Sequence, residues 1–412
     1  MPEFFNVRSP SQAFDDLRPH ISALTERETI STMSSLGRVI ADEVRSPEDL
    51  PSFPKSSMDG FSVRARDTFG ASESLPAMLE VVADIPTGSE SNVELNVGES
   101  AIAYTGGMLA NNADAVVMIE RTQPADETSI EVLRPVAPGE NVVHEGEDVR
   151  AGDLLFGPGH TVRPQDIGGL LALGITEVPV HRRPTVAIVS TGDELIPPHV
   201  NPPPGKIRDI NTYTIAARVA QCGAEPVIIG LAPDEYEPQL EAARAGLDSA
   251  DVLVFSAGSS LSTRDMTADF FNQLGDPGVL LHGISIKPGK PTIVAVADRK
   301  PLFGLPGNPV SALVVFDLLV APAIHLLSGA TSPPTTDTVE ATLTADIPSE
   351  SGREDYVPVT LSKPDGATHA TPVFGKSNLI YTLINSDGLV QVPADSGGLY
   401  AGEEVAVRLY QR

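Results

Sequence analysis

The chain has one cysteine, no tryptophan, and only 28 Lys and Arg against 55 Asp and Glu in 412 residues, a formal charge of −27. A lone Cys222 excludes an internal disulfide and fits a reducing compartment. Its place near the end of a helical pattern, "VAQCGAEP", makes it a packing residue rather than a nucleophile. The shortage of basic residues argues against DNA, RNA or an anionic membrane as ligand, because each needs a basic face. A small anion is not excluded, but it would need a local basic pocket inside a repelling field. The N-terminus "MPEFFNVRSP" lacks a basic segment followed by an apolar one, so no secretory signal is read. Long apolar runs are missing too. The most apolar segment, "PVSALVVFDLLVAPAIHLLSG", is interrupted by Asp317 and Pro322 and reads as a buried core helix, not a membrane span. A soluble, cytoplasmic protein is expected.

What is abundant is glycine and proline, 35 and 37 residues, which favours strands and turns over a helical bundle. The length exceeds one ordinary core and predicts two to four domains. Up to about Val44 the pattern is helical: Ser9-Pro10 reads as a cap, and Leu24, Ile30, Met33, Leu36, Val39 and Ile40 fall at helical spacing. From "LPSFPKSSMDG" to about Val136 short strands alternate with turn signals, which predicts a small β domain. A mixed stretch with a helix at "PQDIGGLLALGI" follows. From "TVAIVSTGDEL" to the helix opened by Pro309, buried strands alternate with amphipathic helices, one of them capped by Asn211. This pattern predicts a doubly wound, mainly parallel sheet. After the linker "ATSPPTTDT" the remainder reads as a second small β domain.

In such a sheet ligands bind beyond the carboxyl ends of the strands, where strand order reverses. Four candidate groups fall there: Thr191 to Glu194, Asp234, the small-residue loop Ser256 to Thr263 with Asp265, and Pro306, Gly307 and Asn308 leading into a helix. Asn308 is a candidate N-cap, Pro309 suits the first turn, and Ser311 lies within it. The free N–H groups there suit an oxyanion. Just upstream, "IKPGKP" holds Lys287 and Lys290, two of only seven lysines, each followed by proline. A single lysine usually just solvates a surface, but two beside such a turn favour an anion site. Acids beside an anion repel it unless a cation intervenes, so Glu194, Asp234 and Asp265 suggest Mg²⁺ bridging to phosphate. No dinucleotide fingerprint, P-loop, Cys/His cluster or nucleophile elbow is present. The residues alone reach a Mg²⁺-assisted reaction on a phosphorylated or oxyanionic small molecule, and stop there.

"LPSFPKSSMDGFSVRARD", "TGGMLANNADAVVMIE", "GEDVRAGDLLF", "VAIVSTGDEL", "IKPGKP" and "GLPGNPVSALVVF" follow one another as in the molybdopterin molybdenumtransferases, a family that includes the C-terminal half of gephyrin. The resemblance covers nearly the whole chain. It implies an extended N-terminal domain (1–49 and 141–181, with residues 1–26 candidates to pack on the sheet domain). It also implies an inserted β domain (50–140), a sheet domain of the molybdopterin-binding type (182–329) and a C-terminal β-barrel-like domain (330–412). The implied reaction is the last step of molybdenum cofactor assembly: adenylylated molybdopterin is hydrolysed, AMP leaves, and molybdate enters the dithiolene. The family's oxyanion pocket maps onto Lys287, Lys290, Ser311, Arg353 of "SGREDY" and Ser377 of "FGKSN". Its acidic set maps onto Asp59, Asp148, Glu194, Asp234 and Asp265, with Thr105 nearby. A head-to-tail homodimer would share each site, the β insertion of one subunit closing over the sheet domain of the other. Molybdopterin adenylyltransferase and molybdoenzyme-maturation proteins would be further partners.

The chain departs from the family pattern in three places. "AGSSLSTRD" retains only Gly258 of the usual glycine-rich loop, His144 and Glu145 precede "GED" in place of arginines, and Lys376-Ser377-Asn378 replaces the usual glutamine-led turn. A tungstate-preferring paralogue, a non-catalytic gephyrin-like scaffold and an adenylyltransferase acting one step earlier are the alternatives. The β domains flanking the sheet disfavour the last of these.

Overall fold

The computed structural model describes residues 8–257, 261–332, 337–364 and 366–410; the side chains of 257 and 261–265 are not among those described. Ser9 caps the helix Pro10–Leu17 in a reciprocal box. Its hydroxyl accepts the Gln12 N–H at 3.3 Å, and the Gln12 side chain accepts the Ser9 N–H at 3.1 Å. Ala13 and Leu17 of this helix are fully buried in the core of the central sheet.

The helix expected to run to Val44 stops far earlier. Arg27–Ser31 is a strand antiparallel to Glu177–His181, with Ile30 opposite Val178. Met33 and Leu36 are 73% and 56% exposed, so the helical spacing marks no buried face. Val39 and Ile40 are buried instead in extended bridges to Thr161 and Val180. A long-range strand partner offered burial that a solitary helix could not, and Gly37 at φ +71° turns the chain between the two segments.

Six strands form the inserted domain, in the order Ala115–Met118, Gly60–Val63, Glu99–Ala103, Ala77–Ile85, Ser129–Val132, Thr122–Pro124. Val63, Leu79, Val117, Ile130 and Val132 fill its core. Gly60 is required by close approach, since a Cβ there would lie 1.9 Å from the Val117 carbonyl oxygen. That contact sets the strand carrying Asp59 at its start.

The central sheet orders Glu225–Ala232, Thr185–Thr191, Val252–Ala257, Lys300–Pro306, Ile293–Ala297 and Pro277–His282. The first four are parallel and the last two join antiparallel. Val186 and Ile188 enter one core, Ala187 and Val189 the other. Burial on both faces is why the strand reads as a continuous apolar run. The helix Asn211–Gln221 lies on one face with the long helix Pro309–Leu327; Tyr236–Ser249 and Leu261–Phe271 lie on the other. Asn211 does not cap its helix as expected. Ile210 occupies the cap position, and Asp209 accepts the Thr212 N–H at 3.2 Å. The Asn211 amide turns inward, donating to Ser256 Oγ at 2.7 Å and to the Gly307 carbonyl at 2.8 Å.

Among the described residues, Pro309–Leu327 alone is long and apolar enough to cross a bilayer, but Val314, Phe316, Leu319, Val320 and Ile324 are buried in the core. Its middle, Phe316–Val320, is a π turn directly before Pro322, whose missing N–H interrupts the α ladder.

The C-terminal domain closes on itself. Glu354–Ser362 pairs with both His369–Pro372 and Gly388–Val392, and Thr338–Leu343 and Glu404–Leu409 complete the ring around Leu343, Val359, Val390 and Val407. A short strand from the central domain, Ile286–Lys287, adds to its edge in parallel, with Lys287 opposite Asp355.

Candidate functional site

A cleft of about 830 Å³ opens where the central sheet meets the C-terminal barrel. Lys287, Lys290, Gly307, Asn308 and Ser311 line it from the sheet domain, and Arg353 and Ser377 from the barrel. All seven residues assigned to the oxyanion on sequence grounds therefore meet in one cavity.

The Lys-Pro-Gly-Lys turn is held by more than its prolines. Gly289 lies at φ +120°, and a Cβ there would come within 2.6 Å of Val315 on the long helix. Thr292 Oγ1 donates to the Gly289 carbonyl at 2.7 Å, and the Lys290 carbonyl accepts the Ile284 N–H at 2.9 Å. Asn308 occupies the N-cap position, but its side chain does not bond the helix. Its amide donates to Ser377 Oγ at 2.9 Å instead, while the Ser377 carbonyl accepts the Val310 N–H at 3.1 Å. The barrel thus supplies an acceptor for the first helical turn, beside Ser311, which is 3% exposed.

Three further charged residues that sequence reasoning missed line the cleft: Glu350, Asp355 and Lys376. Asp355, 2% exposed, accepts from Arg353 Nε at 2.9 Å, and its other oxygen lies 3.8 Å from Lys287 Nζ. Lys376 precedes Ser377 on the barrel wall. With Glu350, which lies 2.9 Å from Arg353 Nη1, the cleft carries four cations and two carboxylates. A surplus of two positive charges in a chain of −27 makes the cleft selective for anions. The scarcity of lysine was the signal that would have found Lys376. Asp355 carried none, because "REDY" reads as an ordinary surface pair.

The acids at the sheet's carboxyl edge form a second group. Asp193 and Asp234 close the loops after their strands reciprocally: each carboxylate accepts the other's backbone N–H, at 3.1 and 3.4 Å. Burial, together with the charges of Asp193 and Glu194, raises the Asp234 carboxyl above the usual carboxylate range. Glu194 folds over Gly192, where a Cβ would meet Glu194 Oε2 at 2.6 Å. The backbone of Asp265 belongs to the helix Leu261–Phe271, but its side chain and residues 258–260 of the altered glycine loop lie outside the described residues. Among the described residues no group of three His, Cys, Asp or Glu side chains is arranged to hold a metal. Glu194 and Asp234 nevertheless fit a hard cation: they offer oxygen ligands, and a positive charge between them would offset the repulsion that raises Asp234.

Asp59 and Thr105 form a third group, 46 residues apart in sequence. Asp59 Oδ1 accepts the Thr105 N–H at 2.8 Å and its hydroxyl at 2.9 Å, which holds the carboxyl below its ordinary range. Asp148 is exposed, its N–H bonded to the Leu50 carbonyl at 3.0 Å. None of these three lines the cleft, whose described walls begin at Thr267. Within one chain the structure gathers the oxyanion set, pairs Asp193 with Asp234 next to Glu194 in sequence, pairs Asp59 with Thr105, and brings neither Asp59 nor Asp148 to the cleft.

Three family models match the chain: "MoeA N-terminal region (domain I and II)" over residues 8–174, "Probable molybdopterin binding domain" over 187–326, and "MoeA C-terminal region (domain IV)" over 340–410. The molybdopterin molybdenumtransferase of Bacillus subtilis is 33% identical over 95% of this chain and 91% of its own length. That of a Nostoc species is 31% identical over 98% and 93%. The crystal structure of a molybdopterin biosynthesis moeA protein from Pyrococcus horikoshii superposes with a TM-score of 0.85 at 31% identity, covering 98% of this chain and 100% of that one. With three family models matched in order along the chain and relatives 31–33% identical over nearly its whole length, the chain belongs to the MoeA family of molybdopterin molybdenumtransferases.

Proposed function

We propose that this transferase of molybdenum cofactor biosynthesis inserts molybdate into adenylylated molybdopterin and releases AMP. The observation that carries the reading is the cleft: Lys287, Lys290, Arg353, Ser311 and Ser377 converge in a strongly acidic chain that otherwise repels anions. Its volume suits an organic ligand of cofactor size beside a tetrahedral oxyanion. Gly307 and Asn308 provide the turn into the helix; Pro309 has no N–H and the Val310 N–H is taken by the Ser377 carbonyl, so Ser311 is the first-turn residue that would meet the anion. Glu194, Asp234 and Asp265 would hold Mg²⁺, which when bound neutralises charge on the phosphoanhydride that is cleaved. In that reaction water adds across the anhydride and AMP leaves; the two dithiolene thiols then bond molybdenum, and one oxo group of molybdate takes up their protons and leaves as water, with molybdenum's oxidation state unchanged.

The protein acts as a homodimer in which Asp59, Thr105 and Asp148 of one subunit complete the site of the other. Supporting this, Asp59 and Thr105 are exposed and lie away from their own chain's cleft. They are also preceded in sequence by Met58 and Tyr104, large side chains 40% and 38% exposed, which a covering surface would bury. Substrate would arrive from a molybdopterin adenylyltransferase, and product would pass to molybdoenzyme-maturation proteins. The test is AMP release from adenylylated molybdopterin with Mg²⁺ and either molybdate or tungstate, run beside sedimentation of the free protein. Release requiring both the metal ion and the oxyanion, from a dimer, is expected. No release, with either oxyanion, returns the chain to a scaffold role.

A further inference from the structure

The four cations of the cleft fall into two classes. Lys287 and Arg353 already face carboxylates: Asp355 lies between them, and Glu350 takes the other edge of Arg353. Their charge is partly offset, and through the pairing of residues 286–287 with 354–355 they join the barrel to the sheet domain. Lys290 and Lys376 pair with no carboxylate among the described residues. In a chain with 55 acids, two cations left without partners in one cavity are its main source of attraction for an anion.

Resting on the oxyanion reading above, we propose that Lys376 is a further anion-binding residue, and that it and Lys290, one from each domain, together hold the oxyanionic group. Three observations support the assignment. Three of the chain's seven lysines, Lys287, Lys290 and Lys376, line this one cleft. Lys376 is also anchored at the right place. Its neighbour Ser377 accepts from Asn308 and Val310 at the opening of the long helix, and its own carbonyl accepts the Leu379 N–H at 2.9 Å. Its backbone is therefore fixed beside the opening of the helix that carries Ser311, while the residue itself is exposed. Finally, Lys290 and Lys376 line the same cleft from different domains, so an anion seated between the domains meets a cation on each wall.

Calorimetric titration of sodium molybdate into the full-length chain at constant ionic strength tests this. The variants are Lys376→Gln, Lys376→Arg, Lys290→Gln and, as a control on the same barrel but outside the cleft, Lys363→Gln. Lys376→Gln should raise Kd about three- to tenfold, the range for a partly solvated charge-assisted contact, with the thermal midpoint unchanged. Lys376→Arg should bind like the wild type, and Lys363→Gln should have no effect. Wild-type affinity in Lys376→Gln beside weakened Lys290→Gln would overturn the proposal and leave the oxyanion reading standing. Equal weakening by Lys363→Gln would also overturn it, since general charge would then explain the effect. A wild-type chain that binds neither molybdate nor tungstate would remove both.

Discussion

Asp251 and Asp234 sit at opposite ends of the same parallel sheet, and their surroundings differ sharply. Asp251, where the third parallel strand begins, receives both guanidinium edges of Arg182 at 2.9 and 3.0 Å and the Thr185 N–H and hydroxyl at 2.7 and 2.8 Å. Although burial opposes ionisation, these bonds hold its carboxyl below the ordinary range. Asp234, just beyond the end of the edge strand Glu225–Ala232, has long contacts of 3.4 Å from Asp193 N–H and from the Gln239 amide, and it faces two other acids. One end of the sheet spends its charge on structure. The other gathers acids with no cationic partner among the described residues, the feature on which the proposed Mg²⁺ site rests.

The strongest break of this contrast is Asp234→Asn. AMP release should fall by about two orders of magnitude or more, because a metal ligand at a phosphoryl centre is lost. Molybdate affinity should stay within about twofold, because the oxyanion cleft does not include Asp234. If both functions fall together, acids and cations form one site and the division drawn here is wrong. Next in size is Lys290→Ala, set against Lys300→Ala. Lys300 opens the strand Lys300–Pro306 at the opposite end of the sheet, where its ammonium donates to the Leu247 carbonyl. Molybdate binding should weaken about ten- to hundredfold for Lys290→Ala and not at all for Lys300→Ala. Equal losses would mean that the whole field, not this turn, attracts the anion. Asp251→Asn should do the reverse of Asp234→Asn. It should cost about 1–3 kcal/mol of stability in denaturant titration, with AMP release per folded molecule unchanged.

Within the cleft, Asp355→Asn sharpens the comparison on a smaller scale. The carboxylate both orders Arg353 and offsets its charge. Its loss should free Arg353 and Lys287 to move, and should loosen the barrel from residues 286–287. Faster hydrogen exchange at the paired backbone of 286–287 and 354–355 is the expected signature. Unchanged exchange would limit Asp355 to a local ion pair.

Legibility followed locality. The strand "TVAIV" was readable because burial on both faces removes polar alternation, and Lys287 and Lys290 because one short turn holds both. The turn before the long helix marked Gly307, Asn308 and Ser311, while Arg353 and Ser377, outside the six motifs, were named by resemblance alone and reach the cleft only from a separate domain. Asp355 looked like a surface acid because its burial depends on strand 286–287, distant in sequence, docking on the barrel. The same cause explains the failed helix after residue 20. Ile30 fits helical spacing, but its burial comes from Val178, and no local pattern reports that partner. Asp59 and Thr105 were named by resemblance; the pairing of Gly60–Val63 with Glu99–Ala103 brings them together from 46 residues apart.

The smallest expected effect is the pH dependence that distinguishes the two aspartates. Asp251 has a folded pKa below the 3.8 of an unperturbed aspartate, so its contribution to stability is present above that value and is lost as acid carries the pH down through the folded pKa. Asp234 has a folded pKa above 3.8, so its favourable, protonated state is complete below that value and is lost as pH rises through the raised pKa. At neutral pH, without divalent cation, Asp234→Asn should therefore melt higher than the wild type, by about one degree given its partial exposure. That advantage should vanish as pH falls towards 4, where the wild-type carboxyl takes up its own proton. The deficit of Asp251→Asn should persist to lower pH and close only below 3.8. Millimolar Mg²⁺ should raise the wild-type midpoint at pH 7 and erase the advantage of Asp234→Asn. If the two difference curves share a sign, or Mg²⁺ leaves both unchanged, Asp234 is an ordinary loop acid and the sheet's carboxyl edge holds no cation.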